Sequence, residues 1–497
     1  MDFLDPKKKR ANLKRLYIGY VLMAIVLAFG TFILVLAAYG YDIDRRTGGV
    51  IQNGLIIVDA HPISADILIN QTRRGTTADR LVLPAGSYNV QLQRDGYRDW
   101  AHQVNLEGSS IEQLAYPFLF PKTLVTKTIQ QYASVPPMAS QSPDRHWLVV
   151  QSPTGLGVFN VIDLNNNKNP VVTINIPTSI ITETEGQHAY ETIEWSTDNA
   201  HLLLKHTYTG GQEFIVLDRS NAANSLNLSK LFPDQYNAIS LRDKKPDQFY
   251  LFDAASGTLA SADAQNKVVN PLLTRVISYK SYQADTIAYV SSTPTDTENT
   301  EFHLWQNGQD HLVRTLPAGP AYLMDMAQFN GHFYVASGSS KDGRVYIYKD
   351  PFGDLGRRPA RTPQPVRVLV VPSAEYVSFS GIARFIAVQE GSHFAVYDIE
   401  TDRQIRYNTK LPLAAHQKAS WMDGHRLILV SQGSVTIFDF DGLNSQTLSA
   451  SLTAFNPFFD RDYSAMFTLA PAANSPDKTA LNRTELRVLP AGQQANQ

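Results

Sequence analysis

Between Leu16 and Ala38 lie twenty-three consecutive residues without an Asp, Glu, Lys, Arg or His. As a helix this run spans about 35 Å at ~1.5 Å per residue, enough to cross a hydrocarbon core of roughly 30 Å. No polar face recurs at a helical spacing, which argues against a half-buried helix of a soluble domain. Tyr17 and Tyr20 at one end, with Tyr39 and Tyr41 at the other, stand where aromatic rings anchor a span at the interface. Lys7, Lys8, Lys9, Arg10, Lys14 and Arg15 precede the run, and such a basic flank stays in the cytoplasm. The pattern predicts a basic cytoplasmic tail over 1–15, a transmembrane helix over 16–41, and a single-pass cell-membrane protein with its bulk outside the cytoplasm. A cleaved signal peptide is the competing reading. Its basic n-region is present and Val35-Leu36-Ala37 offers a small-residue cleavage site, but the apolar run exceeds the ~7–15 residues of a usual h-region.

Charge and cysteine usage narrow the class of the exported part. The chain carries a formal charge of −2 and the first fifteen residues +4, so the remainder carries −6. A mildly acidic ectodomain disfavours nucleic acid as a partner. There is no cysteine, which removes disulfides, thiolate catalysis and thiolate metal sites and fits a bacterial envelope better than a secreted animal-type ectodomain.

Residues 52–107 read as short strands broken by turns. Leu55-Ile56-Ile57-Val58, Ala65-Asp66-Ile67-Leu68-Ile69 and Asp79-Arg80-Leu81-Val82-Leu83 are β-type runs, and Ser87 to Gln93 alternates polar and apolar residues as a half-buried strand does. Pro84-Ala85-Gly86 and Asp95-Gly96 are turn signals. The order Gly54-Leu55-Ile56-Ile57-Val58, Pro62-Ile63-Ser64-Ala65, Gly75-Thr76-Thr77, Leu83-Pro84-Ala85-Gly86-Ser87-Tyr88-Asn89-Val90 and Gly96-Tyr97 resembles the PEGA domain. The signature tetrapeptide is altered to Pro62-Ile63-Ser64-Ala65 and Asn70 stands where the family often has glycine. The resemblance implies a small surface β-sandwich associated with bacterial envelopes, one without a catalytic set. A spacer role near the membrane is expected, with ligand binding as the alternative.

An aromatic, proline-bounded segment, Tyr116-Pro117-Phe118-Leu119-Phe120-Pro121, lies in a predicted linker, 108–121. From 122 to 490 a polar turn followed by two apolar strands recurs. Ser142-Pro143-Asp144, Trp195-Ser196-Thr197-Asp198, Trp421-Met422-Asp423-Gly424 and Phe459-Asp460-Arg461-Asp462 are the clear turns; Leu241-Arg242-Asp243, Gln283-Ala284-Asp285, Phe329-Asn330-Gly331 and Phe379-Ser380-Gly381 are weaker copies. The period, roughly 45 residues, is that of a four-stranded propeller blade. These copies resemble the WD40-like and PD40-type β-propeller repeats of bacterial envelope proteins. The fold class is therefore mainly β: a transmembrane helix, a small PEGA-like sandwich and a propeller of seven or eight blades. Leu124 to Ile129 is expected to close the ring against Glu485 to Leu489. The turn Asp and Ser side chains are expected to bond nearby amides, and the Trp and Phe before them to pack between blades.

There is no Gly-x-Ser-x-Gly elbow, phosphate loop, dinucleotide fingerprint or His-Glu-x-x-His. His201 and His206 are five apart, not a ligand spacing on one strand face, and Asp163 to Asn169 lacks the glycine and the final Glu of a calcium loop. No catalytic residue, cofactor site or metal site is assigned, and a non-enzymatic protein is expected. One insertion, Asp350 to Pro365, holds four prolines with Arg357, Arg358 and Arg361; it is the candidate loop for an anionic partner. The expected function is recognition or scaffolding at the cell envelope, contacting a protein or surface polysaccharide through propeller loops. A propeller hydrolase or lyase acting on carbohydrate is the first alternative, with clustered carboxylates at the axis as its mark. A transmembrane sensor acting through a partner is the second.

Overall fold

A computed structural model describes residues 6–38, 40–43, 50–233, 236–357 and 361–488. It divides into two compact units, residues 1–123 and 124–497.

The first unit begins with one helix, Pro6–Ala38. Its apolar side chains point into open space: Val26, Leu34 and Phe29 are each more than 60% exposed. A soluble protein buries such surface; the stretch Leu13–Leu36 is long and apolar enough to cross a membrane, and no described residue covers it. The helix stops earlier than the predicted span. Gly40 takes a left-handed conformation (φ 77°), and Tyr41–Ile43 pairs as a strand with Val50–Gln52, so Tyr41 belongs to the β-domain. Tyr39 lies outside the described residues.

Two four-stranded sheets follow. One sets Val50–Val58 between Tyr41–Ile43 and Asp79–Pro84, with Ile111–Leu114 added in parallel. The other is Thr72–Thr76, Asp66–Ile69, Gly86–Gln93 and Trp100–Leu106 in that order, all antiparallel. Val90 and Leu92 are fully buried while Asn89 and Gln93 are exposed, the period-two pattern made physical. They join Ile56, Val58, Ile67 and Trp100 in one core. At Gly54 a Cβ would stand 2.6 Å from the Glu107 carbonyl, which is why a glycine occupies the sheet there. Residues 108–121 are not a free linker. They supply the strand Ile111–Leu114, and Leu119 and Phe120 are buried, tied by Leu119 N–H to the His61 carbonyl (2.7 Å) and by Arg98 N–H to the Phe120 carbonyl (2.8 Å). Their apolar side chains find a core closer to hand than solvent.

The second unit is a propeller of eight four-stranded antiparallel sheets. The first strands of the blades, Ala139–Gln141, His188–Trp195, Ala238–Leu241, Val276–Tyr282, Tyr322–Phe329, Tyr376–Phe379, Ser420–Trp421 and Phe458–Phe459, ring the axis. Each of the eight turns read from the sequence directly follows one of them, which decides for eight blades over seven. The ring closes as expected in kind, but with Thr126–Tyr132 pairing Thr479–Thr484, a few residues earlier than Glu485 to Leu489. Thr126 and Thr484 hydroxyls meet at 3.0 Å, and Thr128 Oγ1 donates to Asn482 Oδ1 at 2.8 Å. The cores lie between neighbouring blades: Trp195 of the second blade packs with Val149 and Phe159 of the first.

Candidate functional site

The turn aspartates hold the backbone of their own turns. Asp198 Oδ1 accepts from Ala200 N (2.8 Å), Asp423 Oδ1 from His425 N (2.7 Å), and Asp460 Oδ1 from Ser464 N (2.7 Å). Aspartates that end third strands do the same: Asp163 Oδ1 accepts from Asn165 N and Asn166 N, Asp218 Oδ1 from Ser220 N, Asp398 Oδ1 from Glu400 N. Several also meet a His or Arg at, or one residue before, the start of the blade's second strand: His146 with Asp163 at 3.2 Å, Arg384 with Asp398 at 2.7 Å, and Arg426 with Asp439 at 3.9 Å. This recurring cross-strand pair was not read from the sequence, since its cation varies between His and Arg.

His201 and His206 point to opposite faces of one strand, as their odd spacing requires. His201 contacts Asp198 at 2.7 Å. His206 is fully buried, under the ring of Tyr190 at 4.5 Å, and joins a chain of contacts: its Nδ1 meets Glu213 Oε1 at 2.8 Å, its Nε2 meets His188 Nδ1 at 2.9 Å, and His188 Nε2 meets the Thr184 carbonyl at 2.8 Å. The carboxylate and the carbonyl only accept, so His206 Nδ1 faces one acceptor and His188 Nε2 the other. Burial alone would push the Glu213 carboxyl up; the bonds from His206, Thr182 and Asn227 prevail and hold it down to about 2. Through Thr182 N (2.8 Å) and Asn227 Nδ2 (2.7 Å) this buried acid fastens the connection that follows the first blade.

The predicted Arg loop has more structure than the sequence showed. Asp350 enters it with φ 47°, and Pro351–Leu355 forms a short helix. Phe352 stacks on Phe333 with centroids 5.8 Å apart, and Leu355 is buried. Arg357 is exposed and reaches Asp354 at 3.6 Å; Arg361 is exposed, its N–H bonded to the Asp354 carbonyl at 3.1 Å. Arg358 lies outside the described residues.

Three lysines lie on or beside the first strands, around the axis. Lys244 follows the third blade's inner strand and contacts Glu194 of the second. Lys280, on the inner strand of the fourth blade, meets Asp325 of the fifth at 2.6 Å, and Asp325 also accepts from Phe379 N of the sixth at 2.8 Å. Lys418, just before the seventh blade's inner strand, lies 5.7 Å from the centre of the Tyr376 ring. Lys280 acts electrostatically on both Lys244 and Lys418. In a closed ring of eight, the third and seventh blades are opposite one another, so one charge reaches both only across the axis. The three lysines are exposed to solvent although protein surrounds them. Burial, then repulsion from Lys280, holds the Lys418 ammonium below the usual lysine range, with Asp325 partly offsetting both. For Lys244, burial and Lys280 act against the charged form, which its contact with Glu194 supports. The axis is thus a lysine-lined channel whose two named carboxylates are each engaged by a lysine. Among the described residues no group of three His, Asp or Glu side chains is arranged to hold a metal ion.

Fold and channel together define the class: an eight-bladed β-propeller preceded in the chain by a β-sandwich and an apolar helix. Residues 53–115 match the PEGA domain family. No curated protein matches the chain. Among solved structures, an oligogalacturonate lyase in complex with manganese aligns at 11% identity with a TM-score of 0.40, over 73% of this chain and 99% of that one. The β-propeller domain of Cps50 (Swd1) from Myceliophteria thermophila aligns at 10% identity and 0.38, over 64% and 97%. Hsv2 from Kluyveromyces lactis aligns at 11% and 0.39, over 63% and 97%.

Proposed function

We propose that this protein is held in the cell membrane by its N-terminal helix and works on the extracytoplasmic side as a recognition or scaffolding component of the cell envelope. It binds a protein or surface polysaccharide through the propeller and catalyses no reaction. The observation that carries the anchored reading is the exposed helix, whose apolar side chains no described residue of the chain covers; the six basic residues before it favour a cytoplasmic N-terminus. The binding reading is supported by the way the acids of the blades are used. The turn and strand-end aspartates named above are bonded to backbone amides or paired with cations, so they act as supports for a rigid ring of loops, a surface suited to contact.

In this reading Arg357, Arg358 and Arg361 offer an anionic partner a basic patch on an otherwise acidic ectodomain. The test is protease added to intact cells. Digestion of the propeller in unbroken cells supports the orientation, and protection until lysis overturns it. Capture of the same envelope protein or polymer by the full-length chain, lost after digestion of that polymer, separates binding from turnover. Release of shortened polymer instead would establish an enzyme.

A further inference from the structure

We propose that the propeller axis is a binding site for a single oxyanionic group, a carboxylate or a phosphate, held among the ammonium groups of Lys418, Lys280 and Lys244. This goes beyond contact through the rim loops, and it holds whichever side of a membrane the propeller occupies.

Charge is the first reason. Lys280 of the fourth blade acts electrostatically on Lys244 of the third and Lys418 of the seventh, while the two carboxylates beside them, Glu194 and Asp325, are each taken: Glu194 by Lys244, Asp325 by Lys280 and by Phe379 N–H at 2.8 Å. Lys418 makes no ion pair with a described carboxylate, and the Lys280 charge repels it. Like charges confined in a space of reduced dielectric repel more strongly than they do in open water, and an entering anion relieves that repulsion for all three at once.

Preorganisation is the second. Tyr376, whose ring flanks Lys418, is fixed by its hydroxyl, which donates to the His416 carbonyl at 2.6 Å. Asp325 is fixed by a backbone amide of the neighbouring blade, so Lys280 is steered rather than free. Lys280 stands on an inner strand, and Lys244 and Lys418 lie within three residues of one in a closed ring, which lowers the ordering cost of binding. Access is the third: all three side chains are open to solvent, with side-chain exposure of 47% for both Lys244 and Lys280.

The test uses full-length protein in detergent micelles, titrated calorimetrically at low ionic strength with sodium glucuronate in one arm and inorganic phosphate in the other. Saturable binding in either arm is expected, weakened at least tenfold by Lys418→Met, kept within about threefold by Lys418→Arg, and unchanged by Lys267→Gln at an exposed turn. Binding of glucuronate alone identifies a carboxylate ligand, and of phosphate alone a phosphate ligand; both outcomes support the site. Should Lys418→Met fail to fold, acetylation of the unaltered protein gives the answer, because the bound anion should slow modification of Lys418 severalfold relative to Lys14. No saturable binding in either arm, or binding and labelling indifferent to Lys418, overturns the proposal.

Discussion

In the sandwich, two sheets face one another across one core around Trp100, and each sheet keeps free edges. In the propeller, eight sheets of the same strand number bury both faces against neighbours, and the last is completed by a strand from the unit's beginning. The sandwich is assembled from contacts inside about eighty residues. The ring depends on a pairing between Thr126 and Thr484, 358 positions apart. A local fold concentrates its stability in a few side chains; a closed ring spreads it over many interfaces and rests its integrity on one long-range ladder.

The sharpest way to break this contrast is to open the ring. A chain ending at Ala472 loses the strand Ser475–Glu485 and with it buried Leu481. The expected result in calorimetry is loss of the cooperative propeller transition with the sandwich transition retained; an unchanged larger transition would refute closure as the keystone. Next is Trp100→Ala, which empties the sandwich core at a cost of about 4 kcal/mol and should lower only the smaller transition.

Glu213 tests a buried polar support inside one blade. Its carboxyl is held down to about 2 in the folded protein against ~4.3 in an unfolded chain. The stabilisation is therefore complete above pH ~4.3 and is lost as pH falls toward 2. It amounts to roughly 3 kcal/mol for a shift of that size. Glu213→Gln should flatten the acid limb of the propeller's stability curve, measured by denaturant melts from pH 6 to 2.5, and leave the sandwich's curve as it was. The smallest effect is expected at the rim. Changing Arg357, Arg358 and Arg361 together to Gln should alter stability by less than ~0.5 kcal/mol, yet weaken retention on an anionic polymer column severalfold at low salt. This substitution is cleaner than deleting Gly353 to Pro363, which would also remove buried Leu355.

Much of the architecture was legible because it repeats or alternates. Val90 and Leu92 announce a strand face, and Asp144, Asp198, Asp423 and Asp460 mark turns whose chemistry is local. The segment 108–121 was misread as a linker because Ile111-Glu112-Gln113-Leu114 is too short to carry a period, and only its parallel pairing with Leu55–Val58 makes it a strand. The Arg loop hid a helical turn because Phe352 and Leu355 reveal their role only against Phe333 and the blade core. Nothing at all in the sequence gathers Lys244, Lys280 and Lys418, which lie tens of residues apart and share no motif.

From residue order alone come the membrane-compatible helix, the β-sandwich and the count of turns, since each depends on neighbours in the chain: an unbroken apolar run, a period of two, a turn of short polar residues. Which carboxylate each axial lysine meets and which lysines look at one another across the axis were decided by closing eight blades into a ring. Closure brings distant positions within Coulombic reach, and no spacing along the chain encodes that distance.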